Sequence, residues 1–407
     1  MTPHESTAIQ EVGGRSSSGN PAPAQSASWA AVASLGVGVF ALVMAEFLPT
    51  SLLSRVAADL SVTEGLAGQS VAITAVVAAV SGLLIPVLIP QMDRRRLMII
   101  LSALAVASNL LVAFAPAYPV LLAARVLLGI AIGGFWSLAI SITARLVPPA
   151  KLGLGLTVVN LGVSLATVAA VPLGTLLGEV WGWRAVFVLA AGVSILAVII
   201  QAVTLPSVLA GPSGGFRALG QTLRSRLIAI CLFTLALMGA GHFAGFTYIR
   251  PAATGLGGLD PEQLAALLLV YGLGIVGGNV VAGPLADRML RGASLIFPLL
   301  LGLAMIGFAQ LGSSTGLLFV AAALWGAGFG ALPTIFSAWL ARAEPDRLES
   351  IGGLQTGVFQ VAVALGAFLG GLLVDGAGVQ TALVFGGLTA VLGAVILVLV
   401  KPRPLAG

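Results

Sequence analysis

Twelve apolar stretches, each about twenty residues long and parted by short polar joints, occupy the chain from Trp29 to Val400. Lipid offers no partner to an unpaired backbone amide, so a stretch of that length crosses about 30 Å of hydrocarbon as a helix. The spans fall near 29–53, 65–90, 97–115, 119–143, 153–177 and 183–205, then 227–249, 262–285, 294–311, 316–340, 351–373 and 380–400. A mean hydropathy of +1.10 with 8% charged residues excludes an ordinary soluble domain. The expected fold is an all-α membrane protein of twelve transmembrane helices in two pseudo-symmetric six-helix bundles.

Residues 1–28, rich in Ser, Gly, Pro and Ala, read as a disordered tail rather than a signal peptide. The two bundles then cover 29–205 and 227–400. Residues 206–226 form the longest joint, a hinge around Gly211-Pro212-Ser213-Gly214-Gly215, and 401–407 form a short C-terminal tail. All but four of the 19 lysines and arginines lie on one side of the spans if the N-terminus is inside; the exceptions are Arg55, Arg125, Arg184 and Arg250. The positive-inside rule therefore places both termini in the cytoplasm. The net charge of +5 is an orientation signal and not a nucleic-acid patch. Cys231, the single cysteine, excludes an internal disulfide.

The halves repeat. At offsets of 194 to 196 residues, Asp93 meets Asp287, Gly174-Thr175-Leu176-Leu177 meets Gly370-Gly371-Leu372-Leu373, and Glu46-Phe47 meets His242-Phe243. The small-residue run Gly129 to Gly134 falls near Gly326 to Gly330. Parallel six-helix repeats place a substrate site near the midplane and let the halves rock about it. Alternating access is the expected mechanism.

Gly283-Pro284-Leu285-Ala286-Asp287-Arg288, with Arg291, resembles the loop motif of the major facilitator superfamily. Asp93-Arg94-Arg95-Arg96 is its first-half counterpart, with Ile89 where the motif has glycine. Arg125 with Gly129 and Gly133 is similar to the fourth-helix pattern of proton-coupled exporters. Pro172-Leu173-Gly174 resembles the fifth-helix antiporter motif, with Val171 in place of a glycine. Narrower strings point to the drug:H⁺ antiporter branch and, within it, to bacterial exporters of purine ribonucleosides: Ala45-Glu46-Phe47-Leu48-Pro49, Gly133-Gly134-Phe135-Trp136, Gly182-Trp183-Arg184 and Thr247-Tyr248-Ile249-Arg250-Pro251. His242 stands where that likeness implies glutamine.

Glu46 is the one acidic residue well inside a span, and a carboxylate in lipid is costly unless neutralised or paired. It lies roughly 25 Å along the first helix, at a depth similar to that of Arg125 on the fourth. One reading is a structural ion pair; the other is a proton carrier whose charge is set by Arg125. His242, the only histidine in a span, is a second candidate for proton handling or for a hydrogen bond to substrate. Asp93, Arg94, Arg95 and Arg96, with Gly283, Asp287, Arg288 and Arg291, are expected to pair at the cytoplasmic face and gate the halves. Pro172 and Gly174 belong to the same gating group.

The resemblance implies that the first, fourth, seventh and tenth helices line the cavity. They carry Phe47, Phe135, Trp136, Phe243, Phe246, Trp325, Phe329, Phe336 and Trp339, flat faces suited to a heterocyclic base. Asn160 and Gln360 could read hydroxyls or a base edge, while Gln201 and Gln310 read as interfacial. The expected function is proton-coupled export of purine ribonucleosides, with sugar or multidrug efflux as the alternative. An intramembrane enzyme built on Gly211-Pro212-Ser213-Gly214 is a remote third reading. No cofactor, metal or nucleic-acid motif stands out. The expected partners are a small molecule, protons and the bilayer, and the expected assembly is a monomer.

Overall fold

The computed structural model describes residues 27–62, 64–209, 215–311 and 314–400. Residues 210–214, which hold most of the expected hinge, and both tails up to residue 26 and from residue 401 lie outside them. Nearly all of the rest is helix: α1 (Trp29–Asp59), α2 (Glu64–Leu88), α3 (Arg94–Ala113), α4 (Tyr118–Leu146), α5 (Leu152–Thr204) and α6 (Gly215–Arg224). There follow α7 (Arg226–Phe246), α8 (Ile249–Gly257), α9 (Pro261–Gln310), α10 (Thr315–Ala343), α11 (Leu348–Ala377) and α12 (Val379–Leu399).

Eleven segments among the described residues are long and apolar enough to cross a membrane. One of them, Glu262–Gln310, runs 49 residues, more than twice what a crossing needs, and bends at Met289 (φ −149°, ψ 65°). It therefore holds the eighth and ninth spans. The fifth and sixth spans likewise join within α5, where the chain turns at Gly182 with φ +78°, a conformation that costs a side-chain-bearing residue dearly. Twelve crossings result, as expected.

Two elements were not anticipated in the joints. The segment read as an open hinge contains the ten-residue helix α6, and the joint after α7 contains α8. α1 also runs to Asp59, past the expected end at residue 53.

Small residues let the backbones touch. A Cβ on Gly133 would strike the carbonyl of Ala78 on α2, and one on Gly330 would strike that of Ile275 on α9. The two small-residue runs thus serve the same purpose in each half, close packing of α4 on α2 and of α10 on α9. Buried polar side chains of different helices meet inside the first half. Ser102 donates to Gln201 at 2.9 Å, and the amide of Gln201 reaches the carbonyl of Ser34. Gln201 is fully buried, not interfacial, because two helices supply it with partners.

One end of the bundle gathers the start of α1, the α2–α3 turn, the end of α4, both ends of α5, and the starts of α7 and α11. We call it the terminal face. Ser28 N–H donates there to the carbonyl of Leu146, and Arg94 N–H to that of Val208.

Candidate functional site

The halves meet through two strips of side chain and backbone, and both lie toward the terminal face. In the first, the backbone of Gly353 on α11 approaches the carbonyl of Gly82 on α2, and Gly352 approaches Ser137 on α4. Arg94, fully buried, extends Nε and Nη2 to the two carboxylate oxygens of Glu349 at 2.8 and 2.5 Å. Its Nη1 and Nη2 also donate to the carbonyls of Ile89, Met92 and Pro90. One guanidinium thus closes the α2–α3 turn and grips the opposite half.

In the second strip, Gly153 on α5 and Gly283 on α9 leave no room for a Cβ on either. Asp287 accepts from the N–H groups of Gly153 (2.7 Å) and Leu154 (2.9 Å), the exposed donors at the N-terminus of α5. Arg342 stands 3.7 Å away. A hydrogen-bonded chain continues inward: Asn160 donates to Thr334, Thr334 donates to Asn279, and Asn279 exchanges bonds with Thr157. Asn160, expected to read substrate, is here tied across the halves.

The charged residues at these turns divide. Asp93 caps α3, accepting from Arg96 N–H, and pairs with the hydroxyl of Ser207. Arg95 donates to the carbonyl of Ala202. Arg96, Arg288 and Arg291 are exposed. The expected acid–base pairs between neighbours do not form; the partners across the halves are Glu349 and the start of α5. At the opposite face, Arg184 bonds Asp59 and Arg55 stands 3.6 Å from Glu179, each pair within one half. The hydrogen bonds between halves named above all lie on the terminal side.

Farther in, Arg125 is fully buried. It donates to the carbonyls of Ala45 (2.9 Å), Glu46 (3.3 Å) and Ser70 (3.4 Å). Its guanidinium is thus spent on α1 and α2 backbone oxygens. Of the four ion pairs among the described residues, none includes Glu46, whose side chain is half-buried. The arithmetic of depth brought the two residues together correctly, but the contact is cation to peptide, with the carboxylate left beside it.

In the second half, His242 is enclosed rather than open to a cavity. Its ring stacks on Phe329 (centroids 3.6 Å apart) and Phe246 (5.4 Å), with Phe243 and Trp325 edge-on. Trp325 Nε1–H donates to Nδ1 at 3.1 Å, so the neutral ring carries its hydrogen on Nε2, which has no partner among the described residues. Tyr271 stacks on Phe246 and Phe359 lies against Phe243. Neither was singled out from sequence, since α9 and α11 were not counted among the cavity helices.

Of the other expected substrate contacts, Phe47, Trp136 and Gln360 are half-buried. Phe135 is wholly buried against Gly38 beside Gln201, and Trp339 and Phe336 are buried near the terminal end of α10. Gly174 is buried within α5, which also carries Pro172.

Comparison with known proteins agrees with this architecture. The family model described as Major Facilitator Superfamily matches residues 35–257 and 252–407. The purine ribonucleoside efflux pump NepI of Salmonella typhimurium is 37% identical over 380 residues, covering 93% of this chain and 96% of the relative. That of Salmonella enteritidis is 37% identical over 369 residues, 91% and 93% of the two chains. Among solved structures, the human organic anion transporter MFSD10 superposes with a TM-score of 0.75 at 18% identity, covering 92% of this chain and all of that one. The proton:xylose symporter XylE gives 0.69 at 16%, covering 90% and 94%.

Proposed function

The chain belongs to the Major Facilitator Superfamily, and on that premise we propose that it exports purine ribonucleosides in exchange for protons across a bacterial inner membrane. The placement of Lys and Arg supports cytoplasmic termini, which makes the terminal face the cytoplasmic one. With both strips closed there, the path to the cytoplasm is shut in this arrangement of the halves.

The observation that carries the coupling is the arrangement around Glu46. A membrane carboxylate without an ion pair, beside a buried guanidinium held by backbone, can gain or lose its proton without breaking the fold. In the outward state Glu46 takes a proton from outside. Rocking of the halves opens the cytoplasmic strips, the proton leaves inward, and substrate loads. Arg125, held by carbonyls of α1 and α2, is the fixed cation beside Glu46.

The half-buried rings of Phe47, Trp136, Phe243 and Phe329 are the faces we assign to a purine, with Trp325 bonded to His242 behind Phe329. Gln360 and Asn160 supply polar partners for the ribose, the latter once the Thr334 bond opens. The Nε2–H of His242 becomes a donor for a substrate oxygen once the rings around it part in the transport cycle, and His242 is a second group for proton handling. The assembly works as a monomer, one cargo path per chain.

Proteoliposomes loaded with labelled inosine test this. Wild-type protein should drive uphill inosine movement when a pH difference is imposed, and Glu46→Gln should lose that response while retaining downhill exchange. Uphill transport by Glu46→Gln at the wild-type rate would remove Glu46 from the mechanism. Protection of expressing cells against cationic dyes but not against toxic purine ribosides would replace the substrate.

A further inference from the structure

The helix α6 between the two bundles has an amphipathic design that transport itself does not use. Phe216, Leu219 and Leu223 recur at helical spacing on one side; Arg217, Gln221 and Arg224 recur about 100° around the axis. Leu219 packs on the core and Thr222 is fully buried, so these anchor the helix to the protein. Phe216 and Leu223 are 63% and 47% exposed, and Arg217 and Arg224 are exposed beside them. A water-facing helix has no use for two large bare apolar side chains; a helix at a lipid surface does.

Its position supports that reading. α6 touches α2 of the first half and α7 and α11 of the second. It therefore lies across the seam at the level where transmembrane helices leave the hydrocarbon, with its apolar edge free toward the leaflet. Arg226 at the start of α7 and Arg96 and Arg145 on the same face are also exposed. Three of the exposed cations lie within ten residues of the Phe216–Leu223 edge, and no acidic residue occurs between Arg217 and Arg226.

We propose that α6 is an interfacial helix that holds anionic phospholipid: Phe216 and Leu223 enter the acyl region, while Arg217 and Arg224 bind the headgroup phosphates. Because α6 bridges both halves, anionic lipid bound there braces the closed cytoplasmic seam. This rests on the membrane-spanning fold and is independent of which cargo moves.

Cys231 is fully buried, so Phe216→Cys supplies a single accessible thiol for an environment-sensitive dye in the full-length protein. Reconstituted with brominated phosphatidylglycerol, the dye should be quenched more strongly than with brominated phosphatidylcholine at equal mole fraction. Arg217→Gln with Arg224→Gln should reduce that preference by about 25-fold, since each cation near a charged leaflet contributes roughly fivefold, and salt should weaken it. Equal quenching by the two lipids, or a preference unaffected by the double substitution, would overturn the proposal. So would a dye open to aqueous iodide in vesicles and shielded only when soluble protein is added. None of these readouts requires transport, so their failure is separable from failure of the efflux reading.

Discussion

The two strips that close the seam at the terminal face occupy equivalent places in the repeat and solve the same problem with opposite charges. In the first half the working residue is the base, Arg94, which crosses to Glu349, while Asp93 is turned back to cap its own helix. In the second half it is the acid, Asp287, which crosses to the N-terminus of α5, while Arg288 is left in solvent. Both dipeptides are Asp-Arg, 194 residues apart. A repeat thus preserves the position of a clamp without preserving its chemistry. An ion pair needs a specific side chain on the partner helix; a helix N-terminus offers its amides whatever the sequence.

The difference predicts unequal sensitivity. Glu349→Gln leaves the Arg94 cation buried without its anion, and removing one member of such a pair costs roughly 3–5 kcal/mol. That cost falls on the closed seam, so the equilibrium should move toward the state open at the terminal face by about two to four decades. Spin labels on Gln91 and Asp346, exposed residues of opposite halves, would show it as a lengthened distance distribution. Replacing both Arg94 and Glu349 by apolar residues should recover only part of the closed population, because the carbonyls of Ile89, Pro90 and Met92 lose their donor as well.

Asp287→Asn should do less. The amide oxygen can still accept from one N–H of α5, so what is lost is the charge and one bond, about 1–2 kcal/mol or roughly tenfold in the same distance measurement. An opening as large as that of Glu349→Gln would show that the two strips are equivalent and that the contrast of ion pair and helix terminus has no energetic content.

What sequence could and could not reveal follows the same division. Span number, the repeat and the positions of Asp93 and Asp287 are local or periodic properties, and lipid enforces them residue by residue. Glu349 was not found because its partner lies 255 residues away and a glutamate at a span end resembles any loop acid. Gln201 was misjudged for a related reason: its depth suggested an interface, but Ser102 and Ser34 from other helices satisfy it. Depth alone placed Glu46 near Arg125, yet the guanidinium's choice of backbone oxygens depends on how α1 and α2 pack around it. α6 was hidden by the Gly-rich run before it, although its own spacing of Phe216, Leu219 and Leu223 carried the signal.

The smallest expected effect concerns the residue that the repeat displaced. Asp93→Ala removes the cap of α3, worth about 1 kcal/mol, and should leave the distance between the halves unchanged. The pH dependence follows from its surroundings. Partial burial alone would raise the Asp93 carboxyl, but the Ser207 hydroxyl, the N–H groups of Arg96 and Arg95 and the Arg96 charge together hold it below the usual carboxylate range. A carboxylate lowered in the folded state contributes stability above its unfolded pKa and loses it only as pH falls through the lower, folded value. The cap therefore stays ionised throughout neutral and mildly acidic conditions. Asp93→Ala should lower the melting temperature slightly and leave the pH profile of inosine transport where it was. A shifted profile would mean that Asp93 takes part in coupling after all, and that the first-half clamp uses its acid as the second half does.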